Sequence, residues 1–160
     1  MFQIAVALLL AQAGPTSASA SLKDGKGKEV GTAQLTQTPH GVLIAVDLHG
    51  LKAGVHAIHL HEVGKCEGPD FKSAGGHFNP AKKSHGFMVA EGPHAGDMPN
   101  VDVPKDGKLK AELIAPDATL DTLLDADGAA LVVHAKADDY KSQPAGDAGD
   151  RVACGVIEKK

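Results

Sequence analysis

The sequence predicts an all-β fold, a sandwich or barrel of about eight short strands, from three observations. Short runs that alternate apolar and polar residues recur along the chain, and turn-forming Gly, Pro, Asp and Asn separate them. No run shows a convincing helical periodicity. Two long segments, residues 62–96 and 135–150, carry no periodicity at all, and loops of that length in a compact domain are usually functional.

Four of the predicted strands lie in the amino-terminal part of the chain. Residues 16–22 and 29–36 flank the turn-forming sequence Asp24-Gly25-Lys26-Gly27, which predicts a hairpin. Residues 42–48 alternate, so that one face is apolar. A glycine-containing turn then leads into the fourth strand, residues 55–61.

The other four follow the first long segment. Residues 101–103 and 109–114 flank a Lys105-Asp106-Gly107 turn, which predicts a second hairpin. Residues 116–128 form a polar connection. Residues 130–134 (ALVVH) are apolar almost throughout, which indicates a buried strand, and residues 151–157 form the last one.

Residues 1–13 are typical of a secretory leader. The apolar run FQIAVALLLA precedes Ala11-Gln12-Ala13, an A-x-A cleavage pattern, although no Lys or Arg precedes the run. The alternative is a hydrophobic first strand. The leader is too short to span a bilayer, so we expect no stable membrane insertion of the mature chain. The folded domain is then residues 14–160, and its length suits a single hydrophobic core.

The cysteine content indicates the cellular compartment of the protein, and the net charge excludes one class of partner. The two cysteines, Cys66 and Cys154, fit an oxidising compartment and one disulfide. Together with the leader they predict a periplasmic or secreted protein. The formal net charge of -4 argues against a nucleic-acid partner, which would leave a basic surface.

Histidines and one aspartate are concentrated between residues 59 and 97. Nine histidines occur in the chain, and His59, His61, His77, His85 and His94 lie close together in sequence, followed by Asp97. Imidazoles with a carboxylate are common ligands of zinc, and imidazole also suits copper. Alternate residues of a strand point to the same side, so His59 and His61 form a two-nitrogen clamp. This pattern predicts more than one metal site.

Six motifs occur in order along the chain: GVHAIHLHEVGKC at 54–66, HFNP at 77–80, HG at 85–86, HAGD at 94–97, LVVH at 131–134 and GDRVACGV at 149–156. They resemble the signature of the copper–zinc superoxide dismutases, in the family's order and with its zinc-ligand spacing. The resemblance covers about residues 16–158 and is closest to the bacterial secreted branch.

The resemblance implies an eight-stranded antiparallel Greek-key β-barrel that binds one copper and one zinc ion per chain. It also implies an antioxidant enzyme that converts superoxide, a small anion, to dioxygen and hydrogen peroxide. The implied copper ligands are His59, His61, His77 and His134. The implied zinc ligands are His77, His85, His94 and Asp97, so that His77 bridges the two metals.

Three further roles follow from the resemblance. Asp138 is expected to link His59 to His85, because an outer carboxylate fixes the orientation of ligating imidazoles. Arg151, the only arginine, is expected to guide the anion beside copper, and a disulfide between Cys66 and Cys154 would hold it in place. Arg151 and the bridging His77 are therefore the candidate catalytic residues. Lys141 remains in the shortened second loop, and Lys65 and Lys136 are further candidates for steering the anion.

Three histidines lie outside the implied ligand sets, and three other functions are compatible with parts of the sequence. His56 is predicted to contribute to packing, whereas His40 and His49 are predicted to be solvated, as are the paired Lys82 and Lys83. A metal buffer would need the ligands but no Arg151. A dismutase-like fold that has lost one metal would lack a ligand, and a di-zinc hydrolase would be expected to have a bridging carboxylate or water. The sequence leaves open whether the chain is a monomer or a homodimer.

Overall fold

The computed structural model describes residues 14–160, and the all-β prediction is confirmed there. The predicted leader, residues 1–13, lies outside the described residues. Ten strands and two short helical turns occur in this order: β1 (Ser17–Asp24), β2 (Glu29–Thr38), β3 (Gly41–Leu48), β4 (Gly54–His56), β5 (Ile58–His61), a 3-10 turn (Lys72–Ala74), β6 (Val101–Val103), β7 (Leu109–Ala115), α1 (Leu120–Leu123), β8 (Ala130–His134), β9 (Arg151–Val156) and β10 (Glu158–Lys159).

One large antiparallel sheet forms most of the wall. Its strands follow the order β5-β8-β9-β1-β2-β3-β7, and β10 pairs with β1. The predicted β1–β2 hairpin is confirmed, with Ala20 opposite Ala33. Strand β9 lies beside β1, and β7 lies beside β3, so the chain makes the long crossovers of a Greek-key arrangement.

All eight predicted strands are present, but two of them are interrupted. The fourth divides at Ala57, whose N–H donates to the Lys136 carbonyl (2.8 Å) and whose carbonyl accepts from the His134 N–H (2.9 Å). The segment thereby passes from the small β4–β6 sheet into the large one. The last predicted strand similarly divides into β9 and β10 near Ile157.

The predicted hairpin of residues 101–103 and 109–114 is wrong. Strand β6 pairs with β4, and β7 pairs with β3, so the intervening turn connects two sheets. The turn at Gly107 reverses the chain direction as predicted. The Gly107 carbonyl, however, accepts a hydrogen bond from the Leu51 N–H (3.3 Å), which belongs to another turn. Residues 116–128 also contain one helical turn, α1, which the Thr119 hydroxyl caps.

Strand β8 is buried on both faces, and this positions the functional site. Leu131 and Val133 belong to the main core inside the barrel. Ala130 and Val132 face the opposite way, where they pack with Phe71 of the first long loop. That loop therefore covers the outside of the wall. None of the helices within residues 14–160 is long and apolar enough to cross a membrane.

Candidate metal centre

Three predicted ligands project from the outer side of the barrel wall. His59 and His61 alternate with Ile58 and Leu60 along β5. Because Ile58 and Leu60 belong to the main core, both histidines must point away from it. His134 ends β8, the strand that pairs with β5, and its side chain is also buried. The period-two pattern of the sequence therefore places these imidazoles beneath the long loops.

The first long loop returns His77 to the same place. His77 forms an isolated antiparallel bridge with His61. The Phe78 N–H donates to the Leu60 carbonyl (2.8 Å), and the Gly96 N–H donates to the Phe78 carbonyl (2.8 Å). The loop thus adds short stretches of backbone pairing to the free edge of β5, which holds its ligands against the wall.

The seven predicted ligands form two groups that share His77. In each group the four ligand atoms lie within 4.8 Å of one another, and all seven residues are buried. One group contains His59, His61, His77 and His134, and the other contains His77, His85, His94 and Asp97. The structure therefore brings together every residue that the sequence predicts as a ligand.

The first group fits a copper ion because its unpaired nitrogens are those that a metal would take. His59 Nδ1 and His77 Nε2 are buried without a hydrogen-bond partner. His61 Nε2 and His134 Nε2 lie 3.4 Å apart. Buried polar atoms are rarely left unsatisfied, so two unpaired nitrogens in one group of four imidazoles are suited to bind a metal ion. Imidazole donors of this kind suit copper.

The second group fits tetrahedral zinc by its spacing. Asp97 Oδ1 lies 2.8 Å from His77 Nδ1, 3.0 Å from His85 Nδ1 and 3.3 Å from His94 Nδ1. Zinc bonds of 2.0–2.1 Å in a tetrahedron would separate neighbouring ligand atoms by about 3.3 Å. Three imidazoles and one carboxylate form a closed zinc site of the structural type.

Asp138 lies between the two groups, where the sequence predicts it. Its Oδ2 accepts from His59 Nε2 (2.9 Å), and its Oδ1 accepts from His85 Nε2 (3.0 Å). The Tyr140 N–H donates to Oδ1 as well (2.6 Å). These contacts leave His59 Nδ1 as the nitrogen facing the first group. The carboxylate thereby fixes the orientation of one imidazole from each group.

Burial keeps three imidazoles of the first group, those of His59, His61 and His134, neutral, which is the form that binds a metal. Burial lowers the pKa of His59 to about 4, of His61 to about 2 and of His134 to about 3. Burial also opposes the charged form of His85, but its hydrogen bonds to two carboxylates outweigh burial and raise its pKa to about 9. For Asp97, hydrogen bonds from His77 and His85 outweigh burial and hold the pKa well below its usual range.

Arg151 and the disulfide complete the site. The Arg151 guanidinium donates to the carbonyls of Phe71 (2.7 Å) and Gly75 (2.6 Å), both in the loop that follows Cys66. The predicted disulfide from Cys66 to Cys154 is present and spans 88 residues of sequence. Arg151 lines a cavity of about 630 Å³, together with His61, His77, His94 and His134. The cavity thus joins both ligand groups to the only arginine of the chain.

Two amide side chains support the site and were missed by sequence reasoning. Gln143 accepts from the His85 N–H and donates to the His85 carbonyl, at 2.8 Å each. Asn100 likewise accepts from the Asp138 N–H (2.8 Å) and donates to the Asp138 carbonyl (2.9 Å). Each amide comes from a distant part of the chain, and neither belongs to a local pattern that marks it as a partner.

Three histidines and several lysines lie outside the two ligand groups. His56 is buried, and its ring nitrogens each lie 2.7 Å from a backbone carbonyl oxygen, those of His134 and Lys52. His40 and His49 are exposed, as predicted. The three lysines proposed for steering do not line the cavity of Arg151, whereas Lys82 does.

Comparison with known proteins gives the family. The profile described as "Copper/zinc superoxide dismutase (SODC)" matches residues 29–157. The copper–zinc superoxide dismutase 1 of Aquifex aeolicus is 48% identical over 145 residues, 87% of this chain and 86% of that protein. The Caulobacter vibrioides enzyme of the same name is 48% identical over 149 residues, 89% of this chain and 86% of that protein.

A solved structure shares the fold. A double mutant of a SOD-like protein from Bacillus subtilis superposes with a TM-score of 0.84 at 41% identity, and covers 86% of this chain and 95% of that one. The predicted Greek-key barrel and the predicted resemblance are confirmed. The chain belongs to the copper/zinc superoxide dismutase family.

Proposed function

We propose that this protein is a superoxide dismutase that converts superoxide to dioxygen and hydrogen peroxide. Its copper ligands are His59, His61, His77 and His134, and its zinc ligands are His77, His85, His94 and Asp97. One observation carries the proposal. His77 is shared by the two groups, with Nδ1 2.8 Å from Asp97 and with Nε2 buried and unpaired on the other side.

His77 is the proton carrier in this proposal. Copper, when bound, supplies the one-electron oxidation and reduction that the two half-reactions need, and zinc adds no redox chemistry. His77 Nε2 takes up a proton in the first half-reaction and returns it in the second, when hydrogen peroxide forms with one proton from His77 and one from water. The zinc-side contacts of Nδ1 keep the ring in place while Nε2 changes its partner.

Arg151 binds and orients the substrate anion. Two of its five N–H donors are used by the Phe71 and Gly75 carbonyls, which leaves donors for superoxide. These contacts immobilise the guanidinium before the substrate arrives, so that little side-chain freedom is lost on binding.

The alternatives fit the same residues less well. A protein that only buffers metal would not need Arg151, yet Arg151 lines the same cavity as the copper ligands. Loss of one metal would be expected to remove a ligand, but both groups of four are complete. A di-zinc hydrolase would be expected to share a carboxylate or water between its metals, whereas the shared residue here is His77.

A pair of ligand variants tests the assignment. We expect the His134→Ala variant to bind no copper and to have almost no dismutase activity. It should still bind zinc, because His134 belongs only to the first group. His94→Ala should instead lose zinc first. Metal analysis of both variants, with superoxide decay followed by absorbance, measures these outcomes. Loss of zinc from His134→Ala with copper intact would contradict the assignment.

We also propose that the mature protein, residues 14–160, functions in the periplasm or outside the cell. The A-x-A pattern at residues 11–13 and the disulfide support export, because disulfides persist in oxidising compartments. Amino-terminal sequencing of protein from a bacterial periplasmic fraction should give a start near residue 14. Recovery of the uncleaved chain from the cytosol alone would contradict this proposal.

A further inference from the structure

The cavity above the metal ligands contains two cations, Lys82 and Arg151, and one carboxylate, Glu62. Superoxide is an anion, and the whole chain carries a formal net charge of -4. Long-range repulsion must therefore be overcome locally, by positive charge at the cavity. Arg151 is engaged by two backbone carbonyls at the side of the cavity. Lys82 is exposed and belongs to the loop that follows the shared ligand His77.

Lys82 and Lys83 are neighbours in sequence but have different surroundings. The Lys83 ammonium lies 3.2 Å from Asp117 Oδ2, in the connection before α1. Within residues 14–160, Lys82 has no carboxylate at ion-pair distance, and it lines the cavity. The charge of Lys83 is thus partly offset outside the cavity, whereas that of Lys82 is available at its rim.

The backbone of this turn accounts for the difference. Asn79 Oδ1 accepts from the Lys83 N–H (2.9 Å), and Asn79 Nδ2 donates to the Lys83 carbonyl (2.8 Å). The Lys82 N–H donates to the Asn79 carbonyl (3.1 Å). The backbone of Lys82 is in the left-handed region, with φ 52°, a conformation that is costly for a residue with a Cβ. Costly backbone conformations of this kind cluster at functional sites.

We propose that Lys82 is a substrate-guiding residue, whose ammonium draws superoxide into the cavity toward Arg151. The inference rests on the proposed function and adds a residue to it. Positive potential at the mouth of a cleft raises the rate of association with an anion, and salt weakens the effect. Lys82 would supply this potential in a chain where Lys141, in the loop of residues 135–150, does not line the cavity.

The test compares Lys82→Gln with Lys83→Gln in the copper- and zinc-loaded protein. Both variants change the net charge equally, but only the first removes a cation from the cavity. We expect Lys82→Gln to lower the second-order rate of superoxide decay about two- to fourfold at low ionic strength and to flatten its salt dependence. Lys82→Arg should keep the wild-type rate, and Lys83→Gln should change it little, because an exposed ion pair contributes little.

Azide, a small monoanion that ligates Cu(II), gives a readout that does not depend on turnover. Its dissociation constant, followed by the visible spectrum of Cu(II), should rise about twofold in Lys82→Gln and stay unchanged in Lys83→Gln. Equal effects of the two variants, or no effect of either, would overturn the role of Lys82. If the wild-type protein leaves superoxide untouched, the proposed function fails, while the azide measurement still decides whether Lys82 guides anions.

Discussion

Removal of the disulfide by the double substitution Cys66→Ala and Cys154→Ala is expected to lower the free energy of unfolding of the metal-free protein by about 4–5 kcal/mol. The bond closes a loop of 88 residues, and a long loop restricts the unfolded chain strongly. A loss of this size is a large share of the total stability of a typical domain. Urea denaturation of wild type and variant measures the difference.

The same substitution should also lower the activity of the metal-loaded enzyme. Phe71 and Gly75, whose carbonyls hold Arg151, lie in the loop that Cys66 anchors to β9. Reduced wild-type protein is the matched control, because its thiols retain the side-chain volume that alanine removes. A change in stability below about 1 kcal/mol in both forms would contradict the expected effect.

The substitution Gly146→Ala is expected to weaken zinc binding about 10- to 100-fold. Gly146 has φ +68°, and a Cβ there would overlap the Asp138 carboxylate and lie 2.6 Å from His85 Nε2. The new methyl group would therefore displace the hydrogen bond between Asp138 and His85. Competition with a chelator measures the zinc affinity, and the absorption of Co(II) bound in place of zinc reports the ligand geometry.

Gly50→Ala is the matched control for backbone strain. Gly50 has a similar φ of +72°, but a Cβ there would meet no atom within 4 Å. Both variants therefore carry the cost of a left-handed alanine, and only Gly146→Ala disturbs the ligand shell. Equal zinc affinities of the two variants would show that the close approach of Gly146 to Asp138 has no influence on the metal site.

The sequence predicts well which His and Asp side chains come together, because their positions follow from strand geometry and family motifs. The alternation of His59 and His61 with Ile58 and Leu60 determines which side of β5 carries imidazoles. Only the resemblance could assign His77 to both groups, because no local sequence pattern shows that one residue belongs to two groups.

Contacts between distant segments could not be predicted in the same way. The turn at Gly107 indicates a reversal of the chain, yet β6 and β7 pair with strands far away in sequence. Gln143 contacts the backbone of His85, and Lys82 lines the cavity, only through the final packing of the two long loops. Such contacts depend on tertiary structure, which neither propensity nor hydrophobic pattern determines.

The most direct test of the central claim is the decay of superoxide produced by pulse radiolysis, measured with the copper- and zinc-loaded wild-type protein and with the same protein loaded with zinc alone. We expect rapid, salt-sensitive decay with both metals and only the spontaneous rate with zinc alone. A protein that holds one copper and one zinc ion but leaves superoxide at its spontaneous rate of decay would contradict this claim.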